Sequence, residues 1–339
     1  MTSKQKIILG QFFTKESVWL KEQIKQFIIN SKTTVAYDPF AGAGDLLDVA
    51  VKLGYNNTKG LDCDESLSWE FNDSLISIPH IDNAIIITNP PYISNYSAAR
   101  KKVDESLKKY FENSHYDDVY LIALDKMLEA QNYVVAIIPE TFINSNYSQK
   151  NMLASITILE DNPFNDTDTP VLVACFDGVK KDLHSINVYK NDKFINSLGN
   201  IEDMRLIPNK NVDLTFNDKK GWLGVRCVDT TNPNDMLRFD FKENIDYDWE
   251  NGIKVSSRLL TLISIDIPFD KRQVFIDECN LILNETREKT DDIIFSPFKG
   301  NMKNGRRRRR LDFLTCRAII EKAYYKTVDG LLGGLFNEN

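Results

Sequence analysis

The stretch TTVAYDPFAGAGD, Thr33 to Asp45, decides the fold. Its first half is a β-branched and aromatic run stopped by Pro39, which reads as a strand. Its second half places Gly42 and Gly44 in a short turn, after which LLDVAVKLG reads as a helix with Gly54 at its C-terminal cap. Strand, glycine turn and helix in that order form the opening unit of an open α/β sheet, in which ligands bind beyond the carboxyl ends of the strands. Gly42 and Gly44 would let the backbone approach a ligand closely, although such turns also serve as plain connections.

The rhythm continues outward from this unit. ESVWLKEQIKQFII, Glu16 to Ile29, predicts one helix, with Val18, Ile24, Phe27 and Ile28 on roughly one face. NTKGLDCDES predicts a second strand ending in acidic residues, SWEFN a short third, and Ala84 to Thr88 a fourth. A helix over Val119 to Ala130 and a strand over Tyr133 to Ile138 follow, then two adjacent strands in ASITILE and TPVLVACF. Strands alternating with helices and closing on a hairpin predict an α/β, mostly parallel sheet with an antiparallel last strand. Past Gly178 the sequence turns to Asn- and Asp-rich loops with short strand candidates such as GWLGVRCVD, so the expected domains are 1–180 and 181–339. The second is expected to end in a helix over Arg307 to Lys326, after the loop SPFKGNMKNG.

At 339 residues the chain accommodates two domains, and 42% hydrophobic residues place it among globular proteins. Its apolar runs are strand-length, far short of a membrane span, and its N-terminus lacks the pattern of a secretory signal, so a cytoplasmic location without membrane association is expected. Five dispersed cysteines without a Cys-x-x-Cys pair read as reduced thiols. His80, His115 and His184 lack metal-ligand spacing, and no metal is expected. The formal net charge is −7, yet between Lys299 and Lys326 ten basic residues face only Asp312 and Glu321. Such asymmetry can mark an interaction surface, or simply a solvated one.

Asp62 ends the second strand, 20 residues after Gly42, where a carboxylate can accept hydrogen bonds from a ribose diol. Alone it reads equally as a loop carboxylate. The third small residue of a dinucleotide fingerprint is missing from GAGDLL, and no phosphate-binding Gly-x-x-x-x-Gly-Lys-Ser/Thr occurs. These features point to a nucleoside ligand without a pyrophosphate. The fourth strand stops on Asn89-Pro-Pro-Tyr92. Two prolines stiffen that turn, so that Asn89 and Tyr92 are expected to project beyond the sheet edge. An Asn side-chain oxygen and the Pro90 carbonyl can together accept both hydrogens of an exocyclic amine, while Tyr92 stacks on the ring that carries it.

The ordered set Gly10-Gln-Phe-Phe-Thr14, Asp38-Pro-Phe-Ala-Gly-Ala-Gly44, Asp62, Asp73, Asn89-Pro-Pro-Tyr92 and Ile138-Pro-Glu-Thr-Phe142 resembles the γ-class S-adenosylmethionine-dependent DNA amino-methyltransferases, the TaqI-like N6-adenine group. The resemblance covers about Gly10 to Gly178. It implies a Rossmann-like methyltransferase fold followed by a C-terminal target-recognition domain. It also implies that Phe13, Thr14, Asp38, Ala41, Gly42 and Gly44 surround the methionine part of S-adenosylmethionine, that Asp62 binds its ribose and that Asp73 takes its adenine amino group. Asn89, Pro90, Pro91 and Tyr92 match the catalytic motif, and Phe164 the second aromatic that sandwiches a flipped base with Tyr92. Arg100, Lys101 and Lys102, in a loop and helix over Ser94 to Ser114, could meet phosphates.

The expected activity is methylation of the adenine amine in double-stranded DNA, by a monomer, in a restriction-modification or phage setting, with any cognate endonuclease a separate chain. Lys299, Lys303, Arg306, Arg307, Arg308, Arg309 and Arg310 would supply DNA contacts. Cytosine N4, RNA adenine and a protein glutamine all present an NH₂ on a planar group and stay open as substrates, as does an inactive fold that only binds DNA.

Overall fold

In the computed structural model, which describes residues 14–95, 104–112, 114–164, 167–252 and 259–329, the chain divides into two compact units, Met1–Asn200 and Ile201–Asn339. Phe13, Arg100, Lys101 and Lys102 lie outside the described residues. No helix among the described residues is long and apolar enough to cross a membrane.

The first unit is built on β1 (Val35–Asp38), whose four residues are all buried, as β-branched and aromatic side chains in a central parallel strand should be. Helix α2 (Asp45–Lys52) follows the glycine turn and buries Leu46, Leu47, Val49 and Ala50. Ahead of β1, the helix expected over Glu16 to Ile29 is instead a single turn, Glu16–Trp19, and a separate helix α1 (Glu22–Asn30). The break at Leu20 and Lys21 has a packing reason. Trp19 and Ile24 stand five positions apart and would face different sides of one continuous helix, yet both are fully buried.

After α2 come β2 (Asn57–Asp62), β3 (Glu70–Phe71) and β4 (Ala84–Thr88). Two helices follow, α3 (Asp104–Phe111) and α4 (Val119–Ala130), and then β5 (Tyr133–Pro139), β6 (Leu153–Ile158) and β7 (Val171–Phe176). The sheet runs in the order β3-β2-β1-β4-β5-β7-β6, parallel through β5, with β7 inserted antiparallel between β5 and β6. This is the Rossmann-like methyltransferase topology expected. Two further strands, β8 (Asn187–Lys190) and β9 (Lys193–Ser197), extend the sheet beyond β6 to nine strands. Their pairing carries the first unit to Asn200 rather than 180, which corrects the expected boundary.

The second unit holds an antiparallel sheet in the order β10-β13-β11-β12, formed by β10 (Leu214–Phe216), β11 (Leu223–Arg226), β12 (Arg238–Phe241) and β13 (Leu260–Ile265). Helix α5 (Arg272–Lys289) buries Phe275, Ile276, Cys279, Ile282 and Leu283, which recur at helical spacing. The arginine run forms a strand, not the start of a helix: β14 (Ser296–Asn301) pairs antiparallel with β15 (Arg307–Arg310), and helix α6 starts only at Phe313 and runs to Tyr324. Asn304-Gly305 makes the turn between the strands, with Gly305 at φ +86°, a left-handed conformation suited to glycine. Asp312 caps α6 by accepting from the Thr315 amide at 2.9 Å.

Beneath this hairpin lies a buried ionic cluster. Asp229, fully buried, accepts from both terminal nitrogens of Arg287 at 3.0 Å and from the amides of Leu237 and Arg309 at 2.9 Å. Asp229→Ala would leave Arg287 half-paired and two amides unsatisfied. It should destabilise the second unit by about 3–5 kcal/mol, the usual size for breaking a buried pair, read as a lower midpoint in denaturant unfolding.

Candidate active site

Strand order reverses direction between β1 and β4, which lie side by side although β2 and β3 intervene in sequence. The crevice at such a switch point lies past the carboxyl ends of the two strands. Asp38 closes β1 and Thr88 closes β4, and the Thr88 hydroxyl donates to Asp38 Oδ1 at 2.5 Å. The same oxygen accepts the Phe40 amide at 3.0 Å. Burial is the main cause, opposed by these hydrogen bonds, that raises the Asp38 carboxyl from 3.8 to about 7.

Beside Asp38 the turn expected from the sequence takes its shape from two positive-φ glycines, Gly42 at +51° and Gly44 at +91°. The buried Ala41 donates to the Leu61 carbonyl at 2.9 Å and accepts from the Gly44 amide at 2.7 Å. Asp62 braces the turn from β2: its Oδ2 accepts the Gly42 amide at 2.8 Å and its Oδ1 the Asp64 amide at 2.9 Å. A carboxylate has about four lone-pair sites, so both oxygens keep capacity for a diol.

Trp69, which sequence reasoning missed, donates its indole N–H to the Gly42 carbonyl at 2.8 Å. Its ring lies where a Cβ on Gly60 would come within 2.5 Å, so Gly60 is required for the indole to seat. No periodicity or motif around Trp69 announces this contact.

Asp73 is brought to the crevice by its neighbour. The buried Ser74 donates to the Pro39 carbonyl at 2.6 Å, and Asn72 Nδ2 donates to Ser74 Oγ at 2.8 Å. Thr14 forms a β-bridge with Phe164, and its amide bonds to Asp45 at the head of α2, which sets it beside the glycine turn.

Asn89 and Tyr92 do not project as expected. Asn89 is 9% exposed and Pro90 is buried, while Pro91 and Tyr92 are half-buried. The Tyr92 hydroxyl is turned inward to Asn89 Oδ1 and to the Ile137 carbonyl, the latter at 2.6 Å. Burial, with a smaller contribution from Tyr120, holds the Tyr92 phenol well above its ordinary range. The physical reason is β5, whose carbonyl at Ile137 offers the hydroxyl an acceptor inside the fold. Phe164, 3% exposed, meets Tyr92 edge-on with ring centroids 6.2 Å apart. A base sandwiched between them requires the two rings to part.

In the second unit the basic run divides by environment. Arg309 is 1% exposed, with a guanidinium N–H donating to the Phe295 carbonyl at 3.3 Å, and burial removes it from the expected DNA contacts. Arg308 donates to the Asp229 carbonyl at 2.7 Å and lies 4.8 Å over the Phe298 ring. Arg306 is exposed but pairs with Asp292 at 2.9 Å, and Arg307 and Arg310 are half-buried. Lys299 and Lys303 are exposed and form no ion pair among the described residues.

The carboxylates Asp38, Asp62 and Asp73 thus stand at the carboxyl ends of the α/β sheet beside the glycine turn, with the Asn89 amide and the Tyr92 ring following β4 at the same end. Residues 11–167, which hold every described candidate of the first unit, match the family model described as Eco57I restriction-modification methylase. Over 167 residues the chain is 29% identical to the type II methyltransferase M.HincII of Haemophilus influenzae, covering 44% of this chain and 31% of that protein. It is likewise 29% identical over 167 residues to the type II methyltransferase M.HindII of the same species, covering 44% and 30%. The matched part spans about a third of the length of these curated relatives. Among solved structures, the methyltransferase subunit of a type I restriction-modification system from Streptococcus thermophilus is 17% identical with a TM-score of 0.38, covering 53% of this chain and 47% of that one.

The raised Asp38 pKa carries a stability consequence. The folded chain holds this proton more tightly than the unfolded chain, so the contribution of Asp38 to stability falls as pH rises from about 4 through about 7 and then levels off. Asp38→Asn, which cannot ionise, should therefore raise the melting temperature relative to the parent at pH 8, with a smaller gain at pH 5, in paired thermal unfolding.

Proposed function

We propose that this chain is an S-adenosylmethionine-dependent DNA methyltransferase acting on the N6 amine of adenine, in a restriction-modification setting. The observation that carries the reading is the meeting of Asp38 and Thr88-Asn89 at the switch point, beside a glycine turn braced by Asp62. It joins a nucleoside crevice to an amide able to engage an amine. The family match over residues 11–167 and the two type II methyltransferase relatives support the same class.

When bound, S-adenosylmethionine supplies an electrophilic methyl group on a sulfonium. The residues present fit such a group: a backbone turn opened by two glycines, Asp62 for a ribose diol, Asp73 for an adenine amine, and Asp38 for the ammonium of the methionine part. An ammonium beside Asp38 would favour its ionised form, which the burial of that carboxylate otherwise disfavours.

An exocyclic amine is a weak nucleophile because its lone pair is delocalised into the ring. Asn89 Oδ1 and the Pro90 carbonyl would accept its two hydrogens and restore that lone pair, which is positioning together with stabilisation of developing positive charge. Oδ1 has two lone pairs, so it can serve the Tyr92 hydroxyl and the amine together. The target base must leave the duplex to reach this depth and stack on Tyr92 once that ring turns from Phe164.

The β14–β15 hairpin is the DNA-facing element in this reading. A two-stranded ribbon fits a major groove. Lys299 and Lys303 stand on its exposed side, while the buried Arg309 and the partnered Arg308 hold its base.

The deciding experiment follows a labelled methyl group from S-adenosylmethionine into genomic DNA, total RNA and a protein extract in parallel, with nucleoside analysis of the product. Label should appear as N6-methyladenine in DNA. Asn89→Ala should abolish transfer while sparing binding of S-adenosylhomocysteine. Label recovered as N4-methylcytosine, or in RNA or protein, would overturn the substrate assignment. Replacing Lys299 and Lys303 with Ser should weaken duplex binding and lower the slope of log affinity against log salt by about 2, measured by fluorescence anisotropy across a salt series.

A further inference from the structure

Asp73 is not alone at the crevice. Its Oδ2 accepts from the Tyr110 hydroxyl at 2.7 Å and from Lys109 Nζ at 2.9 Å, both on α3. No hydrogen bond to Oδ1 is made among the described residues. The backbone on either side of Asp73 is fixed by Asn72, whose amide donates to the Asp62 carbonyl at 3.0 Å, and by Ser74 on Pro39. The main chain is thereby tethered near Asp62, and the orientation of the Asp73 carboxylate is set by the helix.

The same helix reaches the catalytic turn. Leu107 and Phe111 pack with Leu75 against Ile93 and Val119, and Ile93 is the residue directly after Tyr92. Helix α3 therefore touches both the carboxylate expected at the cofactor's adenine, through Lys109 and Tyr110, and the residue that follows the base-stacking tyrosine, through Leu107 and Phe111.

We propose that Tyr110 and Lys109 are positioning residues for cofactor recognition: by occupying Oδ2 of Asp73 they reserve Oδ1 for the adenine amino group and so select adenine over rings that lack an amine. The proposal rests on the cofactor reading above. Its chemistry is that of a carboxylate, which as an acceptor rewards an N–H donor and is left facing a repelling oxygen by a keto ring. Two donors on one oxygen hold the group in the orientation in which that discrimination is largest. Lys109 also lies 4.6 Å from the centre of the Tyr110 ring, so the two side chains support each other.

The test titrates the full chain by calorimetry with S-adenosylhomocysteine and with S-inosylhomocysteine, its analogue bearing a keto oxygen in place of the amine. The parent should prefer the amine. Tyr110→Phe should shrink that preference about tenfold, the scale of one hydrogen bond to an ionised group, with affinity for the keto analogue unchanged. Lys109→Met should act in the same direction. Lys108→Met, on the exposed side of α3, should match the parent, and melting temperatures should confirm that all variants fold. An unchanged preference in Tyr110→Phe, where Asp73→Asn abolishes it, overturns the positioning role and leaves the cofactor reading standing. Tighter binding of both compounds by Tyr110→Phe also overturns it and makes the helix a competitor for the site. A parent chain that binds neither compound overturns the cofactor reading and this proposal with it.

Discussion

The hydrogen bond from Thr88 to Asp38 is the constraint on which the rest of the first unit depends. It joins the carboxyl ends of β1 and β4 where the sheet reverses, and both ends are buried, so neither group has water as an alternative partner. On one side of that junction the chain turns through Gly42 and Gly44 into α2. On the other it passes through Asn89 and two prolines to Tyr92. A ligand seated on the glycine turn and a group engaged by Asn89 are thereby kept in a fixed relation by this bond and the β1–β4 backbone pairing beneath it, and the prolines keep the second turn from relaxing away from it.

The second unit solves a different problem with related chemistry. Five arginines in succession repel one another, and a two-stranded ribbon buries little apolar area. Asp229 and Asp292 answer both difficulties by drawing Arg287, Arg306 and the backbone of Arg309 into one network beneath the hairpin. The exposed Lys299 and Lys303 then stand on a braced support rather than a loose basic tail.

How far the sequence revealed this depends on the kind of signal. The strand, glycine turn and helix around Asp38 were legible because local sterics dictate them, and the acidic end of β2 because it follows from the fold. The placement of Tyr92 was not, since its inward hydroxyl depends on the Ile137 carbonyl of a strand 45 residues away. Helix α5 had a readable apolar spacing from Phe275 to Leu283 that its many charged residues obscured. The arginine run was misread because a row of identical residues has no period. The Asn-Gly turn before it was the better clue. Trp69, Tyr110 and Lys109 carry no pattern of their own and act only through what tertiary packing brings to them.

The two borders of the nine-stranded sheet are also informative. A sheet this wide would ordinarily offer another chain two long rows of unpaired amides and carbonyls. Here one border is β3, only two residues long, and the other is β9, a strand that begins at Lys193 and whose pairing with β8 shifts register between Val188 and Tyr189. A short strand on one side and a charged, irregular one on the other make poor templates for intermolecular strand addition. The broad sheet that carries the crevice is thereby protected from growing into a fibre.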